Sequence, residues 1–278
     1  MEYLEFKISC APDYTDILIA EMAGIGFDSF LETATGFEAC ILPDALDATL
    51  WESLLQRYRE AAELRLQERT LAKINWNEVW EKNYDPIEIQ NKVYVRATFH
   101  PGKPADFHHE IIINPKMSFG TGHHATTYLM LAWLLEMELA GKKVIDAGSG
   151  TGILAIMAKQ RGAAEIVAFD IDEWSVENGN ENFELNGYSE LRMQTGTIQS
   201  VNPAGTYDLV MANINKNVLL EEMPAYAAKL PKGGQLLVSG FYDDDGNALR
   251  AEARKHRLSE IGQKTRSDWA ALLFSKTQ

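Results

Sequence analysis

The 278-residue chain has only two cysteines, Cys10 and Cys40, and they lack the spacing of a metal site. Two thiols form one bridge at most, so they read as reduced structural residues. No run approaches ~18 consecutive apolar residues, so no membrane-spanning helix is expected. The first residues, M-E-Y-L-E-F-K, offer neither a basic n-region nor a long apolar h-region, and a cytoplasmic protein without a membrane partner is expected. Positive charge is also scarce: 26 Lys plus Arg stand against 40 Asp plus Glu, a formal net charge of -14. Affinity for a phosphate backbone comes from neutralising it with cations, so direct nucleic-acid binding is not expected. Such a surface either serves solubility alone or draws in a basic, lysine-rich protein. Nothing supports a homo-oligomer, so a monomer is expected.

What is present is a 46% hydrophobic composition, enough for a real core, and one organising stretch. Residues 144–152 read V-I-D-A-G-S-G-T-G, and a helical pattern begins at Ile153. A strand feeding a tight glycine turn feeding a helix is a cofactor seat. Gly148, Gly150 and Gly152 let the backbone turn sharply and approach a ligand. The dinucleotide pattern G-x-G-x-x-G needs a third glycine where Ile153 stands, which argues against a nicotinamide-dependent oxidoreductase. Asp146 would repel a pyrophosphate but suits a ligand carrying an ammonium and a sulfonium, which favours S-adenosylmethionine. The next apolar run ends in Asp170, where an acid accepts bonds from ribose hydroxyls.

Periodicity before this stretch predicts β-α-β-β-α-β: a strand at Tyr3 to Ser9, a helix at Tyr14 to Ala23, and strands at about 29–32 and 38–42. A helix at about 45–60 and a strand at about 63–67 complete it. The order matches the ferredoxin-like split βαβ motif, and nothing in it looks catalytic. Residues 1–70 are therefore read as an N-terminal substrate-recognition domain and 71–92 as a helical linker. In the linker, Trp76 and Trp80 share a helix face that packs against a domain. Residues 93–278 are read as a third segment, an S-adenosylmethionine-dependent methyltransferase domain built around the glycine turn. It opens with strand-like runs at Val93 to Phe99 and Glu110 to Asn114, then a polar loop leading into Thr126 and Thr127. These open an amphipathic helix to about Leu139, and its first N–H groups and hydroxyls suit a carboxylate. His123 and His124, with His108 and His109, lack a third ligand at zinc spacing, so no metal is expected. Alternating strands and helices from residue 152 onward predict a doubly wound parallel sheet whose last strand is antiparallel. Asn213 ends the strand facing the glycine turn across the crevice, where its amide can accept a hydrogen bond from an amine; at a strand end it can equally cap a turn.

These residues resemble the bacterial ribosomal protein L11 methyltransferases. The specific marker is S-F-G-T-G-H-H-A-T-T at 118–127, similar to the family's A-F-G-T-G-T-H-P-T-T. It is joined by V-I-D-A-G-S-G-T-G-I-L-A-I, by the acid in F-D-I-D and by A-N-I after the fourth core strand. The similarity runs from about Trp76 to the C-terminus, while the N-terminal module agrees in architecture more than in residues. The resemblance implies an α/β fold with a Rossmann-like seven-stranded class I methyltransferase sheet and a small N-terminal domain that recognises the ribosomal protein. It implies S-adenosylmethionine contacts at Thr127, Gly148, Asp170 and Asn213, with Phe119 and Gly120 near the methyl-transfer point. It further implies methylation of lysine side chains and the N-terminal amine. The departures, Ser118 for Ala, His123 for Thr and Ala125 for Pro, bear on the rigidity of that loop.

No side chain stands out as a general base. A lysine ammonium has a pKa of ~10.4, so holding it neutral at pH 7 costs about 4 to 5 kcal/mol, and a dry site lowers that cost. Positioning by Asn213 and backbone carbonyls is then expected to dominate, with the proton lost to water. An RNA or glutamine-amide methyltransferase is the first rival reading, weakened by the absence of an N-P-P-aromatic motif at Asn213-I-N-K. A ribosome-assembly module that binds cofactor without catalysis is the second.

Overall fold

Alternation of apolar and polar residues builds β1 (Tyr3–Ser9) and β3 (Gly36–Ile41), which pair antiparallel with Phe6 opposite Ala39 and Ile8 opposite Phe37. Phe6, Ile8, Phe37, Ala39 and Ile41 all point to one face and are buried. Against that face pack α1 (Thr15–Gly24) through Leu18 and Met22, and α2 (Ala48–Tyr58) through Leu54. Asp47 caps α2, its carboxylate accepting from the Thr49 and Leu50 N–H groups at 2.8 and 3.1 Å. With β2 (Ser29–Thr33) and β4 (Arg65–Leu71) the sheet order is β2-β3-β1-β4, the ferredoxin-like order. The computed structural model describes residues 3–71, 85–114, 116, 120 and 122–277. Trp76 and Trp80 of the expected linker lie outside them.

The chain divides into two compact units, Met1–Tyr84 and Asp85–Gln278. The second begins with a three-stranded sheet of β5 (Ile87–Ile89), β6 (Val93–Arg96) and β7 (His109–Ile112). The linker expected over 71–92 yields its last residues to this unit, because Ile87–Ile89 pairs antiparallel with β6. Next comes α3 (Ala125–Glu136), which differs from the amphipathic helix expected to about Leu139. It stops at Glu136 and is buried almost all round, because β5, the helix Ile153–Gln160 and the strands Gln235–Tyr242 and Trp269–Lys276 all touch it.

The large sheet is assembled from β8 (Lys143–Ala147), β9 (Glu165–Asp170), β10 (Met193–Thr195), β11 (Leu209–Asn213), β12 (Gln235–Tyr242), β13 (Leu258–Arg266) and β14 (Trp269–Lys276). Its order is β10-β9-β8-β11-β12-β14-β13, with every strand parallel except β14, which runs antiparallel between β12 and β13 as the short final connection predicts. The fold is an α/β, seven-stranded class I methyltransferase sheet. Along β8 and β11 successive residues enter opposite layers. Val144, Leu209 and Met211 meet α3, α4 (Ile153–Gln160) and α5 (Glu173–Leu185); Ile145, Val210 and Ala212 meet α6 (Ile198–Val201), α7 (Lys216–Lys229) and α8 (Gly246–Lys255). Strand order reverses between β8 and β11, which opens a crevice at their carboxyl ends. Among the described residues no helix is long and apolar enough to cross a membrane.

Candidate active site

β8 ends in Asp146-Ala147, and the chain then reverses into α4 through the glycine turn. Gly148 has φ +65°, and a Cβ there would lie 2.3 Å from Ile214 Cγ2. Gly152 has φ +81°, and its Cβ would strike the Phe183 ring at 2.6 Å. The first glycine thus lets the segment after β11 close on the turn, and the second lets α5 close on α4. Asp146 is sealed beneath the turn: Oδ2 accepts from Ser149 Oγ at 2.6 Å and from the Ala155 N–H at 3.1 Å. Its Oδ1 is buried with no partner among the described residues. Burial pushes this carboxyl up to about 7, and the two hydrogen bonds only partly oppose that.

Asp170 ends β9 on the rim of the turn, where Oδ2 accepts from the Gly150 N–H at 2.8 Å and Oδ1 from the Asp172 N–H at 3.1 Å. Asn213 ends β11; its Nδ2 donates to Thr127 Oγ1 at 3.4 Å, and its buried Oδ1 has no partner among the described residues. Thr126 and Thr127 are fully buried. The Thr126 N–H is capped by His124 Nδ1 at 3.3 Å, and its hydroxyl meets the same nitrogen at 2.7 Å. At the N-terminus of α3 the Thr126 N–H is thus capped by a side chain of the same loop.

A cavity of about 640 Å³ lies over these groups. Thr126, Gly148, Gly150, Asp170 and Asn213 line it, as do the apolar Phe169, Ile171, Ile214 and Val218. Glu221, Glu222, His124 and Trp269 line the part beyond β11 and β12. Among the described residues no lysine or arginine lines the cavity, so a pyrophosphate has no cation to meet it and a positively charged ligand meets no repulsion. The Glu222 carboxylate accepts from the buried Tyr226 hydroxyl, which burial and that carboxylate push well above the usual phenol range.

A family profile described as ribosomal protein L11 methyltransferase matches residues 29–277. The chain belongs to that family. The ribosomal protein L11 methyltransferase of Porphyromonas gingivalis is 43% identical to it over 285 residues, 99% of this chain and 98% of its own. That of Bacteroides fragilis is 40% identical over 279 residues, 99% of each chain. The crystal structure of a ribosomal protein L11 methylase from Lactobacillus delbrueckii subsp. bulgaricus is similar, with a TM-score of 0.66 at 26% identity, covering 70% of this chain and 100% of that one.

Of the residues singled out from the sequence, five line the cavity, while Thr127 stands behind Asn213 and Asp146 and Gly152 lie outside the lining. Gly120 is held next to the turn, its carbonyl accepting from Thr151 Oγ1 at 2.7 Å. Phe119 and Ser118 lie outside the described residues. The histidines take separate partners: His109 meets Gln160 at 3.1 Å and His123 meets the Asp85 carbonyl at 3.1 Å. Reading the sequence missed Glu221, Glu222 and Trp269. The two glutamates follow Asn213 on the next helix, a place where the motif logic could have found them; nothing local marks Trp269, which opens a strand far along the chain.

Proposed function

We propose that the protein transfers methyl groups from S-adenosylmethionine to amino groups of ribosomal protein L11, lysine side chains and its N-terminal amine. The observation that carries this reading is Asn213: among the described residues its buried carboxamide oxygen has no partner, and the residue lines a cavity with no lysine or arginine. Such an atom is an acceptor lacking a donor, and an incoming amine supplies one. The donor set fits the cofactor on the same grounds: a glycine cradle closed by Ile214, apolar walls at Phe169 and Ile171, and the Asp170 carboxylate beside them. Gly148, Gly150 and Asp170 would hold its nucleoside, with Thr126, Thr127 and Asn213 nearer its amino-acid end. Asp146 and Gly152 would shape the turn beneath it, and Phe119 and Gly120 would cover the methyl. Bound there, the cofactor supplies an electrophilic methyl on a sulfonium.

The protein's part is positioning. Glu221 and Glu222 draw the ammonium of the acceptor into the crevice, and the apolar walls lower the cost of its deprotonation. Asn213 accepts one remaining N–H and fixes the direction of the lone pair. The small N-terminal domain would recognise L11 free of the ribosome and present it through the linker. The chain would act as a cytoplasmic monomer.

Incubating the protein with labelled S-adenosylmethionine and free L11, assembled large subunits or ribosomal RNA tests the acceptor. Label is expected on L11; label on RNA alone overturns the assignment. Asn213→Ala should lower turnover roughly 100-fold while cofactor affinity changes far less; equal turnover removes Asn213 from its role.

A further inference from the structure

Three aromatic rings stand together at the part of the crevice beyond β11 and β12. The Trp269 indole and the His124 imidazole both line the cavity, and they meet edge to face with centroids 4.6 Å apart at 72°. Tyr242 stacks on the same indole at 4.3 Å and 29°, yet remains 54% exposed and outside the cavity lining. Tyr242 closes β12, Trp269 opens β14, and the two are register partners, so strand pairing itself holds the stack. Glu221 and Glu222 share the cavity with these rings.

An aromatic face beside carboxylates suits a cation that has lost its hydrogen-bond donors. A primary ammonium carries three N–H groups, which the Asn213 oxygen and the carboxylates can satisfy. Each added methyl removes one donor and enlarges a positively charged, apolar surface. Hydrogen bonding therefore weakens with each transfer while the contact with an indole face gains. We propose that Trp269 is the specificity-determining surface that retains a partly methylated acceptor amine for further transfer, with Tyr242 as the positioning residue that holds the indole. This rests on the reading of the crevice as a methyl-transfer site.

The test supplies full-length protein and S-adenosylmethionine with two acceptors, unmodified L11 and L11 dimethylated at its amines by reductive methylation. The measured quantity is the ratio of kcat/KM for the dimethylated acceptor to that for the unmodified one, with product states read by intact-mass spectrometry. Trp269→Ala should lower this ratio roughly tenfold, the scale of one partly desolvated cation–π contact, and Trp269→Phe should restore most of it. Tyr242→Ala should lower it about two- to threefold by the same contact loosened. General loss of folded protein lowers both rates and leaves the ratio alone. An unchanged ratio in Trp269→Ala overturns the proposal; if that variant is inactive on both acceptors, an unchanged ratio in Tyr242→Ala does so. A wild-type protein that methylates unmodified L11 but never the dimethylated form also overturns it. A wild-type protein that methylates neither overturns the methyl-transfer reading instead.

Discussion

Asp146 and Asp170 end neighbouring strands on either side of one glycine turn, and they live in opposite surroundings. Asp146 is fully buried beneath the turn, with one oxygen held by Ser149 and Ala155 and the other without a partner among the described residues. Asp170 sits on the rim, holds the Gly150 N–H and lines the cavity. The same residue type thus stands in two places within one motif: the underside carboxyl is locked into the turn, and the rim carboxylate lines the cavity. A carboxylate in the first position is measured by stability, and one in the second by affinity.

The largest effect should come from titrating the underside. The Asp146 carboxyl is raised from 3.8 to about 7, with burial as the main cause. A group raised in the folded state contributes its full stability below the unfolded pKa and loses it as pH climbs through the folded one. The difference is worth roughly 4 kcal/mol, lost between about pH 4 and pH 7. Urea unfolding of wild type and Asp146→Asn across that range should show wild type losing about this much relative to the variant, which cannot ionise. A constant difference between the two proteins at every pH would break the contrast from below.

Affinity, not pH-dependent stability, should register the change on the rim. Asp170→Ala removes the acceptor from the Gly150 and Asp172 N–H groups and from any ribose hydroxyl above them. Each charge-assisted bond is worth about 1.5 to 3 kcal/mol. S-adenosylmethionine affinity measured by calorimetry should fall on the order of 100-fold for the equivalent of about 2.7 kcal/mol. Folding should change less, because Asp172 is exposed and Gly150 lines the cavity, where water can replace the lost acceptor. A variant that binds the cofactor as wild type does would move the ligand away from this rim.

How far the sequence foretells this depends on how local each signal is. β8, the glycine turn, β9 and both acids lie within one contiguous stretch, and their order and spacing carry the meaning. Asn213 is legible because strand alternation places it opposite the turn. β5 and α6 escape because three or four residues do not complete a period. The burial of α3 is also hidden: an apolar helix reads alike whether one side or all sides are covered, and the strands that cover it come from both ends of the unit. His124, Trp269 and Tyr242 meet only because β14 returns antiparallel between β12 and β13, a tertiary fact that no short window contains.

A smaller effect is expected at Ser149. Ser149 donates to Asp146 Oδ2 but does not line the cavity. Replacing it with Ala removes the hydrogen bond that favours the ionised carboxyl, so the Asp146 pKa should rise further and the pH window of lost stability should extend upward. At pH 8 the cost should be about 1 to 2 kcal/mol; at pH 4, where the acid is neutral, it should shrink. Cofactor affinity should stay within about twofold of wild type, since less than ~0.4 kcal/mol reaches the rim if the two sides are separate. If affinity falls in step with stability, the underside and the rim form one unit, and the turn transmits what happens to Asp146 directly to the ligand.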